Sequence, residues 1–176
     1  MQNNKIFTLT NIIIVLTILM YVVQTNIQHG DILLGLNLNF TENNLYYQPL
    51  STIFTHGGIA HLFMNMFVLY QFGNLIERYR GKAQFIFLYL VGGVLTSLGS
   101  FAFIYSLGLY HNLVGASGAI CVLLGYVALV DKNERKGIIT WVVVISIFPV
   151  LLGLPVAWYA HFIGFAIGFI LGSIKK

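Results

Sequence analysis

The chain has 176 residues, of which 9 are Lys or Arg and 5 are Asp or Glu, so only 8% are charged. Hydrophobic residues make up 58% of it, and the mean hydropathy is +0.85. Soluble domains are about 25% charged, and one water-soluble core cannot hide this much apolar surface. The composition excludes a soluble enzyme, a nucleic-acid-binding protein and a disordered chain, and it indicates a polytopic membrane protein.

Six apolar runs are long enough to form membrane-spanning helices, which need about 20 residues each. They use most of the chain, so we expect one membrane domain over residues 1–176. The first run resembles a signal peptide, but no small-residue cleavage pattern follows it, so we expect it to be retained. The predicted spans are residues 7–25, 58–76, 83–105, 115–130, 137–153 and 156–174.

All nine Lys and Arg residues lie in the two termini, the second loop and the fourth loop, and the first, third and fifth loops contain none. Because Lys and Arg mark cytoplasmic segments, both termini are predicted to face the cytoplasm. The first loop, from Thr25 to Gly57, then lies outside; it is long and partly apolar, so we expect it to lie in the membrane interface and to be functional. The charges, in the N-terminus, second loop, fourth loop and C-terminus, are Lys5, Arg78, Arg80, Lys82, Lys132, Arg135, Lys136, Lys175 and Lys176.

Polar side chains inside spans cost free energy and are candidate functional groups. In the predicted orientation spans two, four and six all begin at the outer face. Span two carries His61 and Asn65, which are four residues apart and share one helix face. Spans four and six carry Ser117 and His161 at a similar depth, with His161 about six residues into its helix. The other serines in the spans are interpreted as ordinary helix residues: Ser97, Ser100 and Ser146.

Small residues recur every four positions on spans four and six, a pattern that lets membrane helices approach closely. If the two surfaces face each other, Ser117 and His161 come near hydrogen-bonding distance, as a nucleophile beside its base. The small residues assigned to helix packing are Gly115, Gly118, Cys121, Gly125, Gly164 and Gly168.

Other chemistries lack their residues in this sequence. A metalloprotease would need the motif His-Glu-x-x-His, which is absent. The only cysteine, Cys121, cannot form a cysteine-based zinc site. An aspartyl protease would need two aspartates in the membrane, but Asp31 and Asp131 fall in loops on opposite sides. A proton-coupled transporter would be expected to carry a carboxylate within a span, and a channel would need polar residues across the whole bilayer. Serine chemistry without a metal or cofactor remains.

Four segments occur in order on spans two, four and six: Phe54–Asn65, Phe72–Arg78, Gly115–Ala119, and Ala160–Gly164 with Gly168. Together they resemble the rhomboid family of intramembrane serine proteases, over the chain from about residue 47 to the end. The resemblance implies an all-α, six-helix membrane bundle that cleaves transmembrane segments of membrane proteins in the lipid bilayer.

The resemblance also implies roles for individual residues. Ser117 corresponds to the nucleophile and His161 to the general base, a dyad without an aspartate. His61, Asn65 and the backbone N–H of Ser117 correspond to the oxyanion hole, with His56 in a supporting role.

Two positions depart from the family pattern. Many relatives carry Trp-Arg where this chain has Tyr47 and Gln48, which leaves open how the first loop is anchored. The fourth residue after the serine is often aromatic and packs on the base. Here it is Cys121, so we expect His161 to be less constrained.

The alternative function is that of a rhomboid-like pseudoprotease, which binds membrane proteins without cutting them. The intact pair of Ser117 and His161 argues against this alternative. We expect a minimal six-span form with no cytoplasmic domain before the first span, in the inner (plasma) membrane of a bacterium, as the Lys-, Asn- and Ile-rich composition suggests. Transmembrane segments of substrates are the expected partners, nucleic acid is not, and the oligomeric state is left open.

Overall fold

The computed structural model of the protein describes residues 8–174. The predicted start of the first span at residue 7 and three of the charges used for orientation, Lys5, Lys175 and Lys176, lie outside the described residues. Within residues 8–174 the regular structure is helical, apart from one isolated antiparallel bridge between Leu36 and Leu113. The all-helical architecture predicted from the sequence is therefore confirmed for this part of the chain.

A long helical segment lies at each predicted span. The segment at the third span, Lys82–Ser106, is continuous but contains a π-helical turn, a feature with no signal in the apolar pattern. The first loop also contains short helices and ends in a 3-10 turn. In chain order the elements are α1 (Leu9–Thr25), α2 (Gly30–Leu34), α3 (Asn39–Glu42), α4 (Gln48–Ser51), the 3-10 turn Thr52–Phe54, α5 (Ile59–Arg80), α6 (Lys82–Ile86), the π turn Phe87–Val91, α7 (Gly92–Ser106), α8 (Ser117–Val130), α9 (Arg135–Leu151) and α10 (Trp158–Ile174).

Two predicted helix starts were placed too early. The fourth span was expected from residue 115, but Gly115 has φ +124° and lies outside α8, so it does not pack between helices. The sixth span was expected from residue 156, but α10 begins at Trp158 after a non-helical segment containing Gly153 (φ +73°) and Pro155. His161 therefore lies in the first turn of its helix, not six residues inside it.

Helix length separates the segments into two groups. By length and composition, Ile59–Arg80 and Lys82–Ser106 could each cross a membrane. The helices α1, α8 and α10 are apolar but have at most 17 residues, which is at the lower limit for a crossing.

Large apolar side chains point outward along α1, α5 and α9, including Leu19, Phe63 and Phe148.

The most deeply buried helix is α8. Every residue from 119 to 128 is buried, and α8 contacts α5, α7, α9 and α10. A helix that is apolar on all sides can be surrounded by other helices or by lipid, and the observed contacts place α8 at the centre of the bundle. Its first residue, Ser117, is consequently held at one end of the bundle.

The closest helix contact joins α8 and α10, and it depends on glycine. A Cβ added at Gly164 would overlap the carbonyl oxygen of Gly118, and one at Gly168 would overlap that of Val122. Gly125 of α8 meets the backbone of α10 in the same way. Backbone-to-backbone contact of this kind stabilises membrane helices by dispersion. It brings the starts of α8 and α10 together.

By contrast, α9 packs on the bundle through one narrow stripe. Its buried residues are Ile138, Val142 and Ser146, spaced by four, whereas most of its other residues are exposed or half-buried. A helix that buries one residue per turn can contact its neighbours along one line only. Ser146 is the polar member of this line.

Substituting glycine at the close contact tests its importance. We expect Gly168→Ala to lower the thermal unfolding midpoint, because the new Cβ must displace the Val122 backbone, at a cost of about 1–3 kcal/mol. Gly137→Ala in α9 is the matched control, since a Cβ there meets no atom within 4 Å and alanine favours a helix. Equal midpoints for both variants in detergent would contradict the contact.

Candidate active site

Ser117 and His161 are hydrogen-bonded across the junction of α8 and α10. The distance between Ser117 Oγ and His161 Nε2 is 3.0 Å, and the His161 side chain is 6% exposed. Both residues lie in the first turn of their helices, just beyond the glycine contact. A serine hydroxyl beside a neutral imidazole nitrogen can lose its proton to that nitrogen, which makes the oxygen nucleophilic.

The second ring nitrogen of His161 contacts a third helix. His161 Nδ1 lies 3.1 Å from Ser146 Oγ in α9, and the same hydroxyl lies 2.6 Å from the carbonyl oxygen of Val142. From the sequence alone, Ser146 is interpreted as an ordinary helix serine. Its position on the buried stripe of α9 is the signal that could have singled it out, but the apolar pattern does not say which residue it faces.

Asn65 and His61 lie one turn apart on α5, as their spacing predicts. Asn65 is buried, and its side-chain amide donates a hydrogen bond of 2.8 Å to the carbonyl oxygen of His61. An asparagine amide has two N–H donors, so this bond uses one of them. The His61 ring lies against Gly115, where a Cβ would come within 2.7 Å of its Cε1 atom. Only glycine fits there, both for this contact and for its positive φ.

His56 connects the start of α5 to the start of α8. Its Nε2 atom accepts a hydrogen bond of 3.4 Å from the backbone N–H of Ala116, and its Nδ1 atom lies 3.4 Å from the carbonyl oxygen of Phe54. The rings of His56 and His61 meet edge to face at 5.2 Å. Burial, and to a lesser extent the neighbouring His61, lower the pKa of His56 from 6.5 to about 4. His56 is therefore neutral at pH 7, as its acceptor role requires.

A glutamine from α1 holds His56 in place. The Gln24 side chain donates to the carbonyl oxygen of His56 at 2.7 Å and accepts from its backbone N–H at 2.9 Å. Both residues are buried, so the two bonds satisfy backbone groups that would otherwise be unpaired. Gln24 cannot be singled out from the sequence, because an ordinary residue at the membrane interface would also appear as a single polar residue near the end of an apolar run.

The segment before Ser117 is fixed by the first loop and the 3-10 turn. Leu36 and Leu113 exchange two backbone hydrogen bonds of 2.9 and 2.8 Å. The Thr52 hydroxyl donates to the carbonyl oxygen of Leu113 at 2.6 Å, and the backbone of Gly115 donates to that of Thr52 at 3.0 Å. The first loop is thus part of the support for the start of α8.

The structure also answers how the first loop is anchored without the Trp-Arg pair. Gln48 is fully buried, and its side-chain amide donates to the carbonyl oxygens of Ile32 and Leu33, each at 3.2 Å. The hydroxyl of Tyr47 donates to Leu33 as well, at 3.1 Å. These two residues therefore bind the loop backbone directly.

A small polar cavity adjoins Ser117. It has a volume of about 30 Å³, which is enough for one or two water molecules. The Ser100 hydroxyl is buried and has no hydrogen-bond partner among the described residues, so a water molecule in this cavity would satisfy it. The polar residues that line the cavity are Thr52, Thr96, Ser97, Ser100 and Ser117.

These features define a helical membrane protein with a serine and a histidine paired at one end of its bundle. A family model, the Rhomboid domain, matches residues 43–175. The chain therefore belongs to the rhomboid family, whose members are integral membrane proteins.

Curated relatives agree with this assignment. RHOMBOID-like protein 4 of Arabidopsis thaliana is 37% identical over 136 residues, which cover 73% of this chain and 34% of that protein. The putative rhomboid protease YdcA of Bacillus subtilis is 28% identical over 152 residues, covering 82% of this chain and 74% of that protein. The rhomboid protease GluP of the same organism is 36% identical over 91 residues, 52% of this chain and 17% of GluP.

The chain thus spans about a third of the Arabidopsis relative and about a sixth of GluP. Similar proteins come from both bacteria and eukaryotes, so the bacterial inner membrane stays a prediction.

The neutral state of His56 predicts acid sensitivity. Its pKa is about 4 in the folded protein and 6.5 without the shift. Between these values the unfolded chain binds more protons, so stability rises with pH across this window and is lost as the pH falls. We expect acidification from about pH 7 to about pH 4.5 to cost wild type about 2–3 kcal/mol more than His56→Gln. Unfolding midpoints that fall equally for both proteins would contradict a neutral His56.

Proposed function

We propose that this rhomboid protein is an intramembrane serine endopeptidase that cleaves transmembrane segments of membrane proteins. The observation that carries the proposal is the 3.0 Å hydrogen bond between Ser117 Oγ and His161 Nε2 at the junction of α8 and α10. Similar proteins whose names include "rhomboid protease", among them GluP, support it.

In the proposed reaction Ser117 is the nucleophile, and His161 first accepts a proton and then donates it. Nε2 of His161 takes the hydroxyl proton of Ser117 as the oxygen attacks a peptide carbonyl carbon, and a tetrahedral intermediate forms. The protonated His161 then gives this proton to the leaving amine, the C–N bond breaks and an acyl-serine remains. Water then gives a proton to His161 as its oxygen attacks the acyl carbon. The bond between this carbon and Ser117 Oγ breaks, His161 returns the proton to Oγ, and the carboxylic acid leaves.

The negative charge of the tetrahedral intermediate needs hydrogen-bond donors. The backbone N–H of Ser117 is in the first turn of α8, where such groups have no partner within the helix. The second amide N–H of Asn65 and a ring N–H of His61 are the other proposed donors, with His56 supporting His61. Donors already in place when charge develops lower the barrier most. The positive end of the α8 dipole points toward the same atoms.

The proposed topology has six crossings, both termini in the cytoplasm and the active site near the outer face. The distribution of Lys and Arg supports this orientation. The polar cavity beside Ser117 would hold water for hydrolysis at this depth. The whole chain then acts as one membrane domain, and its substrates enter from the bilayer.

Loss of either paired residue tests the proposal. In proteoliposomes containing a panel of single-span fusion proteins, we expect wild type to cut at least one of them. Ser117→Ala and His161→Ala should each lower the cleavage rate by about a thousandfold or more, because each removes a group that takes part in bond formation or proton transfer.

The control variant is Ser173→Ala, which removes an exposed hydroxyl from α10 that bonds only its own helix. It should cleave as wild type does. Cleavage by either paired variant at the wild-type rate would contradict the dyad. Binding of the fusion proteins without cleavage by folded wild type would favour the pseudoprotease.

A further inference from the structure

We propose that Ser146 of α9 is a positioning residue that holds the proton of neutral His161 on Nδ1, leaving Nε2 free to accept the proton of Ser117. The inference rests on the proposed function for its consequence, but the tautomer itself can be observed without any activity. It extends the dyad to a hydrogen-bonded series of three side chains from three helices.

The positions of the protons follow from the two contacts of the Ser146 hydroxyl. Its oxygen lies 2.6 Å from the carbonyl oxygen of Val142. Two oxygens at this distance need a proton between them, and a carbonyl has none to give. Ser146 has only one proton, so it donates to Val142. The 3.1 Å contact with His161 Nδ1 is then a hydrogen bond only if Nδ1 carries the proton.

Neutral imidazole has a single ring proton, so a proton on Nδ1 leaves a lone pair on Nε2. That lone pair faces Ser117 Oγ at 3.0 Å. In the other tautomer Nε2 would carry a proton and could not take one from Ser117. Ser146 therefore favours the form of His161 that can act as a base.

Ser146 is the residue available to orient the His161 ring. The side chain at position 121 is a cysteine, which is buried beside Gly164, and the proposed dyad has no carboxylate. Apart from Ser117, Ser146 is the residue in the described part of the chain with a hydrogen bond to a His161 ring nitrogen. An unsupported ring could rotate away from the serine.

The proposed steps need no further proton transfer. When His161 takes the proton of Ser117, both ring nitrogens become donors, and the Nδ1–H bond to Ser146 shortens because its donor is now charged. The Ser146 proton stays on its own oxygen and remains bonded to Val142. Hydroxyl and peptide dipoles thus stabilise the imidazolium, without the full charge an aspartate would bring.

The tautomer can be read directly by NMR. We would record nitrogen spectra of protein labelled with ¹⁵N-histidine in lipid bicelles at neutral pH, and assign His161 by comparison with His161→Gln. The expected spectrum has a protonated Nδ1 and an unprotonated Nε2, and Ser146→Ala should give a mixture of both tautomers. A wild-type His161 with its proton on Nε2 would overturn the proposal.

The kinetic test is the rate at which a fluorophosphonate labels Ser117. We expect Ser146→Ala to lower this rate by roughly tenfold to a hundredfold, because it leaves a buried N–H without a partner. Ser146→Thr should restore much of the rate, since threonine keeps the hydroxyl and can bond the same carbonyl. Unchanged labelling in a folded Ser146→Ala protein would overturn the positioning role.

Thr17→Val is the matched control. Thr17 is fully buried in α1, and its hydroxyl bonds the carbonyl of Ile13 four residues earlier, as Ser146 bonds Val142. Its loss should leave both the His161 spectrum and the labelling rate unchanged. If wild type is never labelled but shows the Nδ1 proton, the proposed protease function fails while the role of Ser146 in fixing the tautomer stands.

Discussion

The backbone contact between α8 and α10 is the constraint on which the site depends. Gly164 and Gly168 let α10 touch the carbonyl groups of α8, and this spacing leaves Ser117 and His161 one hydrogen bond apart at the ends of the two helices. Larger side chains at the glycines would separate the helices by more than such a bond can span. The same feature that stabilises a membrane core thereby determines the distance that the proposed chemistry needs.

A second layer of polar contacts holds the end of the bundle where the pair lies. Gln24 of α1 binds the backbone of His56, and His56 accepts from the residue before Ser117. The first loop is tied to the same region by Gln48 and by the Leu36–Leu113 bridge. Every one of these groups is buried and paired, as polar groups must be in an apolar surrounding. The helix ends can therefore be rigid without charged residues.

Features of the fold and site that follow from periodicity, composition and spacing could be predicted from the sequence. Helices at six apolar runs, the shared face of His61 and Asn65, and the family follow from such patterns. Gln24 and Ser146 did not, because the histidines that they contact are more than ten residues away and no local pattern says which residue each side chain faces. The prediction for Gly115 was wrong. A small residue near a helix start suggests helix packing, but Gly115 lies in the loop before α8, where it adopts a positive φ and makes room for the His61 ring.

The most direct test is whether Ser117 is chemically activated by His161. Detergent-purified wild type would be treated with a fluorophosphonate, and the modified residue located by mass spectrometry beside a folded His161→Ala protein. We expect an adduct on Ser117 in wild type and none in the variant. A folded wild type that stays unlabelled, or equal labelling of both proteins, would contradict it.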